Sequence, residues 1–350
     1  MTPKLLALAV RVGETLEGLD LGKGRYAGLS LGGGVFSNVR FVEADLREAD
    51  LRETVFDQCD LRGALAAGAN LRRAVFNRCL LDHADLRQAN LHGAVFTECD
   101  LQHAQFAQAV LTMATLSQCT LAHANLRGAQ LGSAVFTQSV LLDVCADDTT
   151  WPYTTVNECD LSHLTWAGAR MQRNVFFKTS LKGMSFAGLA LDGCQFSSAD
   201  LSGADFSGTV LQQCNFQGAT LTGAKFVKAV APSAIFCDAT GQGTDFSGAR
   251  LRQALFSGAV LPQASFAGCD LYQTHFAGAK LQGANFTGAD LTHADLRHAD
   301  LSKADLRRAT LQRTVLHGAI TEDAQMTDRA RAIESDPELA AAERWQPLVA

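Results

Sequence analysis

The chain has 350 residues, of which 47% are hydrophobic and 19% charged, with a formal net charge of −6. That composition builds a core and excludes a disordered chain. The charge is too small to draw the protein onto nucleic acid, and too small on average to imitate a duplex covered in phosphates.

The chain starts MTPKLLALAVRVGE, where a single lysine precedes a short apolar run at 5–10. A secretory leader needs a longer apolar stretch and a small-residue cleavage site. No stretch reaches the ~18 apolar residues of a membrane-spanning helix. Residues 1–15 are therefore read as a cap, and a cytoplasmic protein without a membrane partner is expected.

From about Leu16 to Met326 a large apolar residue falls on numbers ending in 1 or 6, as in Leu46, Leu51, Phe56 and Leu61. Two residues earlier stands a small one: Ala44, Ala49, Thr54 and Cys59. The unit is A(D/N/V)(L/F)xx, and its phase does not slip. The large and small residues point inward and the other three outward, because only a small side chain fits where the chain turns a corner around a filled interior. A second period lies on top. Phe56, Phe76 and Phe96, like Phe196, Phe216 and Phe236, are twenty residues apart. A turn of twenty residues stacks Phe on Phe. About 15 such turns at the ~4.8 Å strand spacing predict a rod of about 75 Å.

This pattern resembles the pentapeptide-repeat family over roughly nine-tenths of the chain. The resemblance implies an all-β fold, a right-handed quadrilateral parallel β-helix with four pentapeptides per turn, over residues 16–326.

Three further columns follow the twenty-residue period. Val35, Val55, Val75, Val95, Val135 and Val175, with Thr115 and Thr155 between them, form an outward stripe on the N-terminal half. A soluble monomer avoids a continuous apolar strip, so this stripe is the candidate partner-binding surface. Cys59, Cys79, Cys99 and Cys119 occupy the small inward position and are read as small hydrophobes in the core, not as disulfides. His83, His103, His123 and His163 form an outward row. They are the candidate metal ligands if there are any; the ordinary reading is a solvated row, and no resident metal is expected.

The repeat is poorest at 142–156, LDVCADDTTWPYTTV. Trp151 is large for a stacked centre and Pro152 cannot donate to a ladder. Asp143, Asp147, Asp148 and Glu158 come without a Lys or Arg nearby in sequence, so an irregular acidic turn or loop is expected here. At the far end, Asp336-Pro337-Glu338 reads as a helix start, with Leu339, Ala342 and Trp345 as its apolar stripe. Residues 327–350 are expected to be a helical cap.

No G-x-S-x-G, P-loop, H-E-x-x-H or C-x-x-C sequence is present. The expectation is a non-catalytic structural or protein-interaction module without a cofactor, a rigid rod that offers flat faces to a protein partner. The family resemblance implies accessory or adaptor roles in bacterial systems, type VI secretion among them. It also implies an alternative, a DNA mimic that binds DNA gyrase and protects it from quinolones. The arginines at 47, 52, 62, 72, 73, 78 and 87 weigh against that. A homodimer would form through the C-terminal cap or the Val stripe.

Overall fold

The computed structural model describes residues 1–343, and within them the chain forms two compact units, Met1–Ser180 and the residues from Leu181 onward. Each is a parallel β-solenoid. Within each unit residues twenty apart pair side by side, as in Asp45 with Leu65 in the first and Asp205 with Lys225 in the second.

One backbone plan recurs from pentapeptide to pentapeptide within each unit. The N–H of the large residue donates to a carbonyl nineteen residues ahead, as Leu46 does to Leu65 O at 2.7 Å. The N–H two residues later does the same, from Glu48 to Ala67 O at 3.1 Å. The small residue closes a local turn, Ala49 N–H to Leu46 O at 3.1 Å. The next N–H reaches the previous turn, Asp50 to Leu29 O at 2.9 Å. The residue just after the large one has no backbone acceptor in this plan. Where an Asp or Asn precedes the large residue, its carboxylate or amide oxygen takes that N–H, as Asp45 Oδ1 does from Arg47.

The fifth position carries the bend. Every residue whose number ends in 3 or 8, from Gly13 to Asp323, has a positive φ, and the non-glycine ones lie between 49° and 61°. Each of these side chains costs about 1–2 kcal/mol relative to glycine. The ladder bonds and the core offset that cost.

The core is two columns of residues per face. Large and small positions are mostly buried, and the remaining three are mostly not. In the first unit Phe36, Phe56, Phe76 and Phe96 stack, with centroids 4.6–5.4 Å apart. In the second unit two Phe ladders interleave. Phe216 stacks on Phe236 at 4.8 Å and meets Phe226 edge-on at 5.4 Å. Each such pair adds about 0.5–1.5 kcal/mol beyond area burial. All ten cysteines are free thiols, and those at 59, 79, 99 and 119 are buried. Their sulfurs donate to backbone carbonyls, as Cys79 Sγ does to Phe56 O at 3.3 Å. Burial pushes the thiol of Cys159 up to about 11 and that of Cys269 to about 12.

Residues 142–156 differ from the sequence expectation. No loop leaves the coil there, and the hydrogen-bond plan continues without a gap through Thr150, which donates to Ala129 O at 3.1 Å. Trp151 is wholly buried at a centre position. Its indole N–H donates to the hydroxyl of Thr149, the small residue two before it. Pro152 falls on the position after the large residue, the one whose N–H the plan leaves free, so it removes no ladder bond. Pro232 and Pro262 hold the same position. The chain after the break also keeps its phase although Leu164, Asn174, Met184 and Leu189 fill the small position.

Helix α1 (Pro3–Arg11) covers the first turn. Thr2 caps it, and Leu6, Ala9 and Val10 are buried. Helix α2 (Pro337–Glu343) begins as its sequence suggests, with Asp336 Oδ1 accepting from Glu338 N–H at 2.8 Å. The buried ring of His317 anchors this segment. Its Nδ1 accepts from Asp336 N–H at 3.1 Å, which leaves its proton on Nε2, 3.1 Å from Glu343 Oε2. The part of the expected cap beyond Glu343, Trp345 included, lies outside the described residues.

One core position breaks its own rule. Threonines at the small position donate their hydroxyl to a backbone carbonyl, most of them 23 residues back, as Thr54 does to Leu31 O and Thr274 to Leu251 O. Asn174 is wholly buried there, and neither atom of its amide has a hydrogen-bond partner. An unsatisfied buried amide costs about 1–3 kcal/mol. Replacing Asn174 by Thr restores the column's bond, so Asn174→Thr is expected to stabilise the protein by about 1–2 kcal/mol in urea unfolding. A variant no more stable than wild type would contradict this.

Candidate functional site: an apolar sheet face

A column of β-branched residues builds the one wide sheet among the described residues. Nine three-residue strands, from Thr15–Glu17 to Val175–Phe177, lie side by side on one face of the first unit. Their register sets Val35 beside Val55, then Val75, Val95, Thr115, Val135, Thr155 and Val175. Isolated β-branched residues on other faces, such as Val110 and Val140, sit in turn-type repeats. Branched side chains in one register pack against one another and favour extended backbone along this long column, whereas the shorter run of Thr220, Thr240 and Val260 keeps single bridges. In the second unit the same register holds Gln195, Asn215 and His275, with Ile235 and Leu255 as apolar exceptions, and the strands give way to single bridges.

The predicted stripe is therefore brought together as one surface. Val35 is 37% exposed and the other members are half-buried. From Val35 to Val175 it runs about 34 Å at the ~4.8 Å strand spacing. Polar columns border it. On one side Gln118 donates to Gln138 at 3.3 Å and Gln138 to Glu158 at 3.0 Å. On the other, Arg73 faces Glu53 at 3.6 Å.

Three apolar residues that the sequence pattern did not single out widen the face from its middle toward its far end. Met113 is 61% exposed, Tyr153 53% and Phe177 39%. Met113 and Tyr153 occupy the fifth position just before the column, at φ 59° and 60°. Bulky side chains there are uncommon. Their signal in the sequence was an aromatic or Met where other repeats have Gly, Gln or a charge.

The expected acidic stretch is partly neutralised. Its neighbours in space are about twenty residues away, and for two of its acids they bring cations. Asp148 pairs with Arg127 at 3.4 Å and Glu158 with Lys178 at 3.7 Å. Asp147 Oδ1 accepts the N–H of Ala167 at 2.9 Å. Asp143 lies between two rings, 3.8 Å from His123 Nδ1 and 3.3 Å from His163 Nδ1. Trp151 is in the core and unavailable to a partner.

The same neutralisation runs along other faces. In each D-L-R repeat the arginine folds back on the aspartate two residues before it. Arg47, Arg52, Arg62, Arg87, Arg297 and Arg307 reach Asp45, Asp50, Asp60, Asp85, Asp295 and Asp305 at 2.6–2.8 Å. These pairs are two-pronged, with Nε and Nη2 donating to the two carboxylate oxygens. The guanidinium holds the carboxyls of Asp45, Asp50, Asp60 and Asp85 below the usual range, and that of Asp305 at about 2.

Comparison with known proteins agrees with the architecture. A model described as "Pentapeptide repeat region" matches 56–126. One described as "Pentapeptide repeats (8 copies)" matches 30–65, 191–226, 221–258, 249–288 and 289–320. Together they span well over half of the sequence. The chain belongs to the pentapeptide-repeat family. Members of this family serve as structural and interaction modules. Among solved structures it is similar to HetL, a pentapeptide repeat protein involved in heterocyst differentiation regulation from the cyanobacterium Nostoc. The two are 22% identical over 93% of this chain and 94% of that one, with a TM-score of 0.24. It is similar to QnrB1, a plasmid-mediated fluoroquinolone resistance protein, at 14% identity over 81% of this chain and 94% of that one, with a TM-score of 0.18. A pentapeptide repeat protein from the Arabidopsis thaliana thylakoid lumen is 32% identical over 32% of this chain and 68% of its own, with a TM-score of 0.16. These likenesses bear on the fold alone. No curated protein matches the chain. Among the described residues no helix is long and apolar enough to cross a membrane.

The D-L-R pairs make a pH prediction. A carboxyl whose pKa is depressed in the folded state adds stability that is present above its unfolded value of about 3.9 and is lost as pH falls through the folded value. Exposed pairs contribute little individually, so the effect is read from the set. The urea midpoint is expected to fall between about pH 4 and pH 2, and to fall less when the six aspartates are replaced by asparagine. An equal fall in both proteins would contradict the assignment.

Proposed function

We propose that this protein is a non-catalytic scaffold that docks a protein partner on the valine face of its first unit. The observation that carries the reading is the unbroken β-branched column across nine strands, with Met113 exposed beside its middle and Tyr153 and Phe177 toward its far end. Rigid strands present these side chains at fixed spacing, so docking orders few groups and forfeits little entropy. Aromatic and Met side chains are those enriched at the centres of protein interfaces. An adaptor of a bacterial secretion apparatus of type VI kind is one instance of such a scaffold. A second copy of the chain is another candidate for the same face.

The second reading is a DNA mimic directed at gyrase. It needs continuous negative faces. The two-pronged Asp–Arg pairs interrupt them, and the formal charge of −6 over 350 residues leaves little excess. The scaffold reading is therefore preferred.

The test is the triple variant Val55→Lys, Val75→Lys, Val95→Lys against Val110→Lys, which sits on another face. Association with the partner, or with a second copy in light scattering, is expected to be lost only in the triple variant. Equal association by both variants would end the proposal. Protection of gyrase supercoiling from a quinolone would favour mimicry; no protection at saturating protein is expected.

A further inference from the structure

The histidine row is a more defined feature than a solvated column. His83 and His103 stack with centroids 4.6 Å apart and ring planes 7° from parallel. His103 and His123 continue the stack at 5.1 Å. All three occupy the left-handed fifth position, at φ 57°, 56° and 60°. Their backbones are fixed by the ladder, His83 N–H to Gln102 O and His103 N–H to Ala122 O, both at 3.0 Å. Adjacent imidazoles are thereby held side by side without any further ordering of the chain.

A carboxylate completes the upper pair. One oxygen of Asp82 and one nitrogen from each of His83 and His103 all lie within 4.8 Å of one another. Asp82 Oδ1 is shielded from water and has no hydrogen-bond partner, and its nearest cationic candidate is His83 Nε2 at 3.7 Å. A shielded carboxylate oxygen without a donor is costly unless a cation meets it. Arg62, one turn away in the same column as Asp82, is already committed to Asp60 at 2.7 Å.

We propose that Asp82, His83 and His103 form a surface site for a borderline divalent transition-metal ion of the Zn2+ class. Two imidazoles and one carboxylate are donors that suit Zn2+, Ni2+ or Cu2+, whereas Mg2+ and Ca2+ favour all-oxygen sets. Tetrahedral coordination with bonds of about 2.0–2.2 Å sets donor atoms about 3.3 Å apart. His83 has 67% of its side chain exposed, so its ring can turn to close the remaining distance. Water fills the rest of the coordination sphere.

The other histidine cluster does not compete. His298, His317 and Glu343 also lie close together. Both nitrogens of the buried His317 ring are committed, one to Asp336 N–H and one to Glu343, which makes that cluster an anchor for α2. The lower part of the row, with Asp143 between His123 and His163, is the internal comparison for the experiment.

The test is calorimetric titration of the full chain with Zn2+ after chelator treatment. One equivalent is expected to bind, with no binding of Mg2+. His83→Ala with His103→Ala is expected to abolish it, and Asp82→Asn to weaken it more than about tenfold, or 1.4 kcal/mol. His123→Ala with His163→Ala is expected to leave it in place. The Co2+ form is expected to lack a thiolate charge-transfer band. Wild-type affinity in the His83/His103 or the Asp82 variant would overturn the proposal. So would loss of binding confined to the His123/His163 variant, or a thiolate band. Asp82→Asn retains both rings and keeps the test valid if the double histidine variant fails to fold.

Discussion

A backbone that turns a corner every five residues must place one residue in five at a left-handed φ, and this chain does so from Gly13 to Asp323. That constraint is paid for by hydrogen bonds to the turns on either side. Four of the five backbone N–H groups in a typical repeat find carbonyls in the plan seen at Leu46, Glu48, Ala49 and Asp50. The corner also forces a small side chain beside it, because two chain segments meet there around a filled interior. Core, faces and columns all follow from the same bend. A residue's neighbours are then those twenty positions away, and its chemistry is decided by its column.

Column logic explains why local sequence misleads about charge. Asp147, Asp148 and Glu158 look uncompensated along the chain. In space Asp148 and Glu158 meet Arg127 and Lys178. The same logic turns scattered valines into a sheet, and scattered histidines into stacked rings beside a carboxylate. Two kinds of surface result in the first unit. One is apolar and suited to another protein, and the other is a narrow polar row suited to a small cation.

Much of this was legible in the sequence. The large and small positions, and the Phe, Cys, Val and His columns, could be read because burial imposes a strict period on residue size. The fifth position was not legible as a bend, since it accepts Gly, Gln, His, Glu and Arg alike and carries no apolar signature. The aspartate before the large residue was visible in the repeat formula. Its role in taking an N–H and holding Arg47 or Arg307 was not, because that depends on which amide the ladder leaves unused. Pro152 was misread for the same reason. Trp151 was misread because its indole N–H finds the Thr149 hydroxyl inside the core, a partner that the size of a centre position does not reveal. Asn174 stood out only as a bulkier residue, and its missing partners required the carbonyl geometry of the previous turn.

The left-handed fifth residue is tested most directly at Gln213, which has φ 57°. Thermal unfolding of Gln213→Gly and Gln213→Val compares a residue at ease in that conformation with a β-branched one that is not. The glycine variant is expected to be more stable than wild type and the valine variant less so, with the two separated by more than about 1 kcal/mol. Identical unfolding of the two variants would contradict the view that this bend governs the coil.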